Sequence, residues 1–319
     1  LGASYIYLAG TFKNGDHILI RASFSSITES AGTGYEGHEF FEASSIRKNN
    51  GLYYLVYSSV KSSELCYAVS EKPDEGYRYG GTLVDIGDLT LRGKEEGEAI
   101  NPLGNTHGGM VCVKGQWYIF YHRQTARTNF SRQGCAEKIY IKEDGSIDQA
   151  EVTSCGLNDG PLEGKGVYPA RICCHLTGSK PMCTSHPRLM KMDYPFLTQD
   201  CYDIEPESEE AKQEKEFPVQ YIANIQDKNI VGYKYFDFKD TKKLTLTIRA
   251  RSQNVAGKIL VGQSLEDFSC GIIPVEISEN TEKNWITVSC ELLLEKGTYP
   301  LYLKYEGVGE VDLAQFELI

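Results

Sequence analysis

No run of about 18 apolar residues passes through the 319-residue chain, so a membrane-spanning helix has no place in it and no membrane partner is expected. An excess of basic residues is also missing. Lys and Arg number 33 against 44 Asp and Glu, a net charge of −11, whereas phosphate binding needs clustered cations, so no nucleic-acid partner is expected. Methionine and proline are sparse, at 4 and 11. The opening residues, LGASYIYLAG, have neither a start Met nor a basic n-region. They read as a strand rather than a signal peptide, and the natural N-terminus is expected upstream.

What the chain has in quantity is 21 Tyr, 12 Phe and 31 Gly, a composition suited to many short aromatic strands joined by glycine turns. An all-β protein is expected, of two domains, because single cores stop growing at roughly 250 residues. Asp203 to Glu216 holds seven acids and two lysines, which is nearly half the charge excess in one solvated run. Of the ten cysteines, Cys66, Cys112, Cys270 and Cys290 fall in strand-like patterns where a thiol serves as a small hydrophobe, which favours a cytoplasmic setting. Cys173, Cys174, His175, Cys183 and His186 offer zinc-type ligands but lack CxxC spacing, so packing or a disulfide is the preferred reading there.

Three segments repeat: GASYIYLAG from Gly2, GLYYLVYSS from Gly51 and GQWYIFYHR from Gly115, each a Gly followed by Tyr at the third position and then an aliphatic residue. Their offsets of about 49 and 64 residues suit β-propeller blades, with the Gly in a hairpin turn. Three unrelated hairpins in one sandwich would be the plainer alternative. A closed propeller needs at least about four blades, so further blades are expected upstream. The resulting division is residues 1–156 as the C-terminal blades of a propeller, 157–193 as a connector packed on it, and 194–319 as a β-sandwich. The sandwich is read from short alternating runs such as IVGYKYFDF, KLTLTIRAR and VDLAQFELI.

Within GHEFFEASSIRKNNGLYYLVYSS, Glu42 is set between two Phe and a strand of small residues. Desolvation by aromatic neighbours tends to raise a carboxyl pKa, as a general acid working near neutrality requires. By itself, such a residue is equally the end of a strand or half of an ion pair. FFEASSIRKNNGLYYLVYSS resembles the pattern F-F-E-x-x-x-x-x-K-x-x-G-x-Y-Y-L-x-Y-S of family 43 glycoside hydrolases, whose Glu is the proton donor. NTHGGMVCVKGQWYIFYHR downstream is similar to the family's last-blade motif. The resemblance implies a five-bladed propeller, Glu42 as general acid, Phe41 and Arg132 beside the sugar, and His107 beneath it near a central Ca2+. For His107 a buried structural histidine stays open as the other reading, and for Arg132 an exposed ion pair. His122 reads as structural.

The family hydrolyses with inversion, and its catalytic base and modulating Asp belong to the first blades, so both are expected on an upstream segment needed to complete the active site. The sandwich resembles a family 6 carbohydrate-binding module, jelly-roll-like, with Tyr233 and Trp285 as sugar-stacking candidates. Asp312, Leu313, Ala314 and Gln315 depart from the pattern of sugar-binding members, which leaves a purely structural sandwich as the alternative. Together these resemblances imply a hydrolase of xylan-type carbohydrate, of the α-L-arabinofuranosidase or β-D-xylosidase kind. A non-catalytic carbohydrate-binding protein or an inactive fragment is the rival.

Overall fold

The computed structural model describes residues 34–94, 96–128, 130–180, 194–200, 220–252, 254–277 and 284–319, and the backbone of 5–11 and 17–23. The acidic run from Asp203 to Glu216, together with Cys183 and His186, lies outside the described residues. The chain divides into two compact units. The first spans Leu1–Lys94, Leu103–Arg123 and Arg132–Val152; the second spans Glu95–Pro102, Gln124–Ser131 and Thr153–Ile319. Among the described residues no helix is long and apolar enough to cross a membrane.

The first unit is built from small sheets of blade form. Strands β1 (Tyr5–Thr11) and β2 (His17–Ser23) pair as one. A four-stranded sheet follows in sequence order: β3 (Phe40–Asn49), β4 (Leu52–Ser59), β5 (Glu64–Ser70) and β6 (Arg78–Asp85). The third joins β7 (Gly109–Val113), β8 (Gln116–Gln124) and β9 (Arg132–Ile139). Tyr54 to Ser59 of β4 are all buried, as befits a central strand with neighbours on each side. The repeat is explained at its turns. Asn50 and Gly51 have φ of 46° and 84°, and Lys114 and Gly115 have 51° and 87°, so both hairpins close through two left-handed residues. That is a type I′ turn, whose twist matches the flanking strands and which Asn-Gly favours.

The second unit is a sandwich of two six-stranded sheets. One follows the order β10 (Leu162–Glu163), β15 (Ile230–Phe238), β20 (Gly297–Val308), β17 (Val255–Gly262) and β18 (Gly271–Ile277), with β12 (His175–Thr177) also on β15. The other runs β13 (Phe196–Gln199), β14 (Gln220–Ile225), β21 (Val311–Leu318), β16 (Lys243–Ala250) and β19 (Ile286–Glu291), with β11 (Gly166–Pro169) on β21. Alternation of period two puts Leu244, Leu246 and Ile248 inward from β16 and Thr245 and Thr247 outward. The segment expected as a connector supplies β10, β11 and β12 to the two sheets. Cys173 and Cys174 within it are buried thiols, and Cys174 donates to the Gly232 carbonyl at 3.6 Å.

An aromatic cluster fills the sandwich core. Phe316 is 1% exposed, and its ring lies 4.5 Å from Tyr233, 5.5 Å from Tyr168 and 6.0 Å from Phe236. Removing it leaves a cavity ringed by large groups that cannot collapse inward. Phe316→Ala is therefore expected to cost about 3–5 kcal/mol, read as a lower urea midpoint of the sandwich transition, with the unfolding slope unchanged.

Candidate active site

Glu42 sits near the start of β3, where pairing with β4 loses register twice. Phe40 pairs with Ser59, Glu42 with Ser58, and Ser45 with Val56, so two surplus residues are absorbed between Phe40 and Ser45. Ala43, the next residue, has φ of 58°, a left-handed conformation that costs a residue with a Cβ about 1 kcal/mol or more. Bulges of this kind re-aim a side chain out of the pleat. The Glu42 carboxyl reaches the His107 imidazole, with Oε1 and Nε2 sharing a hydrogen bond at 2.7 Å. Both side chains are about 40% exposed, so the pair faces solvent.

His107 stands just before β7, in the segment Asn105-Thr106-His107-Gly108-Gly109. The two glycines are there for space. A Cβ on Gly108 would lie 1.8 Å from the Phe120 carbonyl oxygen, and one on Gly109 would meet Ser45 Oγ at 2.9 Å. Upstream, the fully buried Thr106 ties the segment down: its N–H donates to the Ser62 carbonyl at 2.9 Å, and its Oγ1 accepts from the His122 N–H at 3.3 Å. The His107 N–H donates to His122 Nε2 at 3.2 Å, and the two rings lie 5.4 Å apart. His122 Nε2 is therefore the acceptor nitrogen, which puts the proton on Nδ1, a buried atom with no hydrogen-bond partner among the described residues. Burial, followed by the nearby Arg132 guanidinium and His107, presses the His122 pKa from 6.5 down to about 4, so this imidazole is neutral at physiological pH.

Arg132, on β9, is exposed and donates from Nη2 to Asn105 Oδ1 at 3.0 Å. Phe41 is 57% exposed and presents its ring to solvent beside Glu42. Glu42, His107, Arg132 and Phe41 thus belong to one unit, and the first three join through Asn105 and the His107 segment. His122 and Asn105 are additions that the sequence did not single out for the site. The Asn-Thr-His spacing carried a trace of them, but the role of His122 depends on where its ring meets the His107 backbone.

The sandwich candidates behave differently. Tyr233 is fully buried and donates to the Ala170 carbonyl at 3.3 Å, so it offers no face to a sugar; it is a core residue. Trp285 touches the Tyr221 ring edge to face at 5.4 Å, and the Arg249 guanidinium lies 4.5 Å from each ring. Arg249 is itself held by paired bonds to Asp200, at 3.0 and 3.2 Å, and by the buried Asp312 at 3.0 Å. Asp312 also accepts from Arg251 and from the Asn224 N–H. The departure noted at Asp312 is therefore an anchor for two arginines.

No family model matches the chain. It is 43% identical over 294 residues to a xylosidase/arabinosidase of Thermoclostridium stercorarium, covering 91% of this chain and 58% of that protein. The chain thus spans less than two thirds of that relative's length. Among solved structures it is similar to a glycoside hydrolase family 43 arabinoxylan arabinofuranohydrolase from Bacillus subtilis in complex with cellotetraose, at 17% identity and a TM-score of 0.47, covering 95% of this chain and 56% of that one. It is also similar to the module CsCBM6-3 from Clostridium stercorarium in complex with cellobiose, at 16% identity and a TM-score of 0.35, covering 50% of this chain and 97% of that one.

The depressed His122 pKa gives a pH signature. The folded state prefers the neutral ring, so its contribution to stability is fully present above the unfolded pKa of 6.5 and is lost as pH falls towards about 4. Asp85 in the same unit, lifted to about 6, acts in the opposite sense as pH falls, so the His122 share is read by difference. Across that window the urea midpoint of the wild type is expected to fall relative to that of His122→Gln, and parallel pH profiles for the two would show that His122 does not contribute.

Proposed function

We propose that the chain, 43% identical to a xylosidase/arabinosidase of Thermoclostridium stercorarium, is part of a family 43 glycosidase acting on pentose-containing plant polysaccharide or oligosaccharide. The reaction is of the α-L-arabinofuranosidase or β-D-xylosidase type and proceeds with inversion. The observation that carries this reading is the Glu42 carboxyl, turned out of its strand by two breaks of register, half exposed, and hydrogen-bonded to His107.

Glu42 acts as general acid. It gives its proton to the departing glycosidic oxygen as the bond to the anomeric carbon breaks. His107 positions the carboxyl and exchanges a proton with it, while the neutral His122 holds the His107 backbone. Phe41 offers an apolar face to the sugar ring, and Arg132 donors to its hydroxyls. Inversion needs a second carboxylate as base, about 6.5–9.5 Å from the acid, to activate a water on the opposite face. We assign that base, and the Asp that tunes the acid, to a segment outside residues 1–319.

Calcium prefers six to eight oxygen ligands. Around His107 the described residues supply the Glu42 carboxylate, with the Arg132 guanidinium nearby, a set that does not fit such an ion.

In the complete protein, Glu42→Gln is expected to lower kcat about 10²- to 10⁴-fold on xylo- or arabino-oligosaccharides, whose leaving groups need protonation. On nitrophenyl pentosides, whose leaving group departs unaided, the loss is expected to be much smaller. Oligosaccharide turnover within about threefold of wild type would overturn the acid assignment.

A further inference from the structure

A second cluster in the first unit takes no part in this chemistry. His38 lies on the approach to β3, and Glu64 and Cys66 lie on β5, at positions i and i+2 of one face. Glu64 and Cys66 are fully buried, and the His38 side chain is 19% exposed. Their ligand atoms all fall within 4.8 Å of one another: His38 Nδ1 is 2.6 Å from Glu64 Oε1 and 3.8 Å from Cys66 Sγ. We propose that His38, Glu64 and Cys66 bind a borderline-soft divalent cation, with Zn2+ the best match.

The donor set points to that class of ion. Imidazole nitrogen, thiolate sulfur and carboxylate oxygen are the three ligand types of zinc, whereas calcium and magnesium take oxygen. The spacing agrees. Tetrahedral zinc with bonds of about 2.0–2.1 Å to nitrogen and about 2.3 Å to sulfur separates those two atoms by roughly 3.6 Å, close to the distance found here. The nitrogen–oxygen pair is tighter than zinc would hold it because a proton now sits between them. Moving that proton from Nδ1 to Nε2 and releasing the thiol proton frees both ligand atoms for the metal and lets the pair open. The charges close as well, since one carboxylate and one thiolate neutralise a dication, so the buried site carries no net charge.

An outer layer is already in place. Ser59 Oγ donates to Glu64 Oε1 at 2.6 Å, and Thr82 Oγ1 donates to Oε2 at 3.2 Å. The Tyr79 ring stacks on His38 at 5.2 Å, and Tyr57 OH donates to the His38 carbonyl at 2.8 Å. Such partners fix a ligand's orientation and tautomer. The Cys66 thiol makes long contacts, 3.7 Å to Thr82 Oγ1, 3.8 Å to His38 Nδ1 and 3.9 Å to Tyr79 OH. One group opposes a cation: Lys61 Nζ, 3.4 Å from His38 Nε2 and 4.0 Å from Glu64 Oε1. It is 46% exposed and swings to solvent as the imidazole proton moves to Nε2. Binding therefore releases the thiol proton and strengthens as pH rises. A bound ion pins the approach to β3, four residues before Glu42, onto β5.

The site belongs to the first unit alone and does not depend on the glycosidase reading. The tag-free chain, stripped of metal and kept reduced, is titrated with Co2+ and then with Zn2+. A single equivalent of Co2+ is expected to give a near-ultraviolet thiolate-to-cobalt band that Zn2+ abolishes. Zn2+ at 100-fold over its Kd is expected to raise Tm by about 5 °C, with no rise from Ca2+. Cys66→Ser removes the band, and His38→Gln weakens Co2+ binding by at least about tenfold. Because Cys66 is buried and its variant can fail to fold, His38→Gln, checked by circular dichroism, decides in that case. Absence of the band, its survival in folded Cys66→Ser, or undiminished affinity in His38→Gln overturns the proposal.

Discussion

The arrangement of the site depends on one constraint: β3 must deliver a carboxylate at a place where regular pairing with β4 would leave it in the pleat. The far end of that hairpin is locked by the Asn50–Gly51 turn, so the mismatch gathers at the near end, between Phe40 and Ser45. There Ala43 takes up a left-handed backbone. The strain is tolerated because the strand beside it is buried from Tyr54 to Ser59 and cannot shift to relieve it. His107, held by two glycines and Thr106, meets the displaced carboxyl from the next sheet.

Both units bury carboxylates, and the donors around each group differ. At Glu64 burial pushes the pKa up, but hydrogen bonds from His38 and Ser59 outweigh it and hold the group below the ordinary carboxylate range. At Asp85 the balance goes the other way. Burial, aided by the charges of Glu64 and Asp88, outweighs the bonds from the Gly87 and Thr90 backbone N–H groups and lifts the group to about 6. Asp312 in the sandwich keeps two arginines and a backbone N–H around it. The difference lies in the donors: cationic or hydroxyl partners hold the carboxyl pKa down against burial, and the two backbone amides at Asp85 do not.

The hairpins were legible in the sequence because Asn-Gly and Lys-Gly state their own turn chemistry, and Glu42 and His107 because each sits in a long motif. Other features were not. The two surplus residues of β3 are invisible in a string where FFEASS reads as an unbroken strand. Tyr233 has the look of a ligand-stacking aromatic, but its register against Leu301 sends it into the core. Strands β10 to β12 are two to four residues long, too short for a period to appear, so 157–193 read as a connector. His38 and Glu64 are 26 residues apart and converge only when β5 pairs beside β4.

The doubled break in β3 also sets a rule of parity for its length. From Phe40 to Asn49 the strand takes nine steps where β4, from Ser59 to Leu52, takes seven, a difference of two. An even surplus returns the rest of the strand to the face it would have occupied without any bulge, because successive side chains alternate. Losing one residue between Phe41 and Ser44 leaves an odd surplus, and everything on the Glu42 side of the break is inverted relative to Ile46 and the turn. Losing two restores the faces and erases the bulge that turns Glu42 outward. Related chains that keep this site are therefore constrained in the length of that stretch more tightly than in its composition.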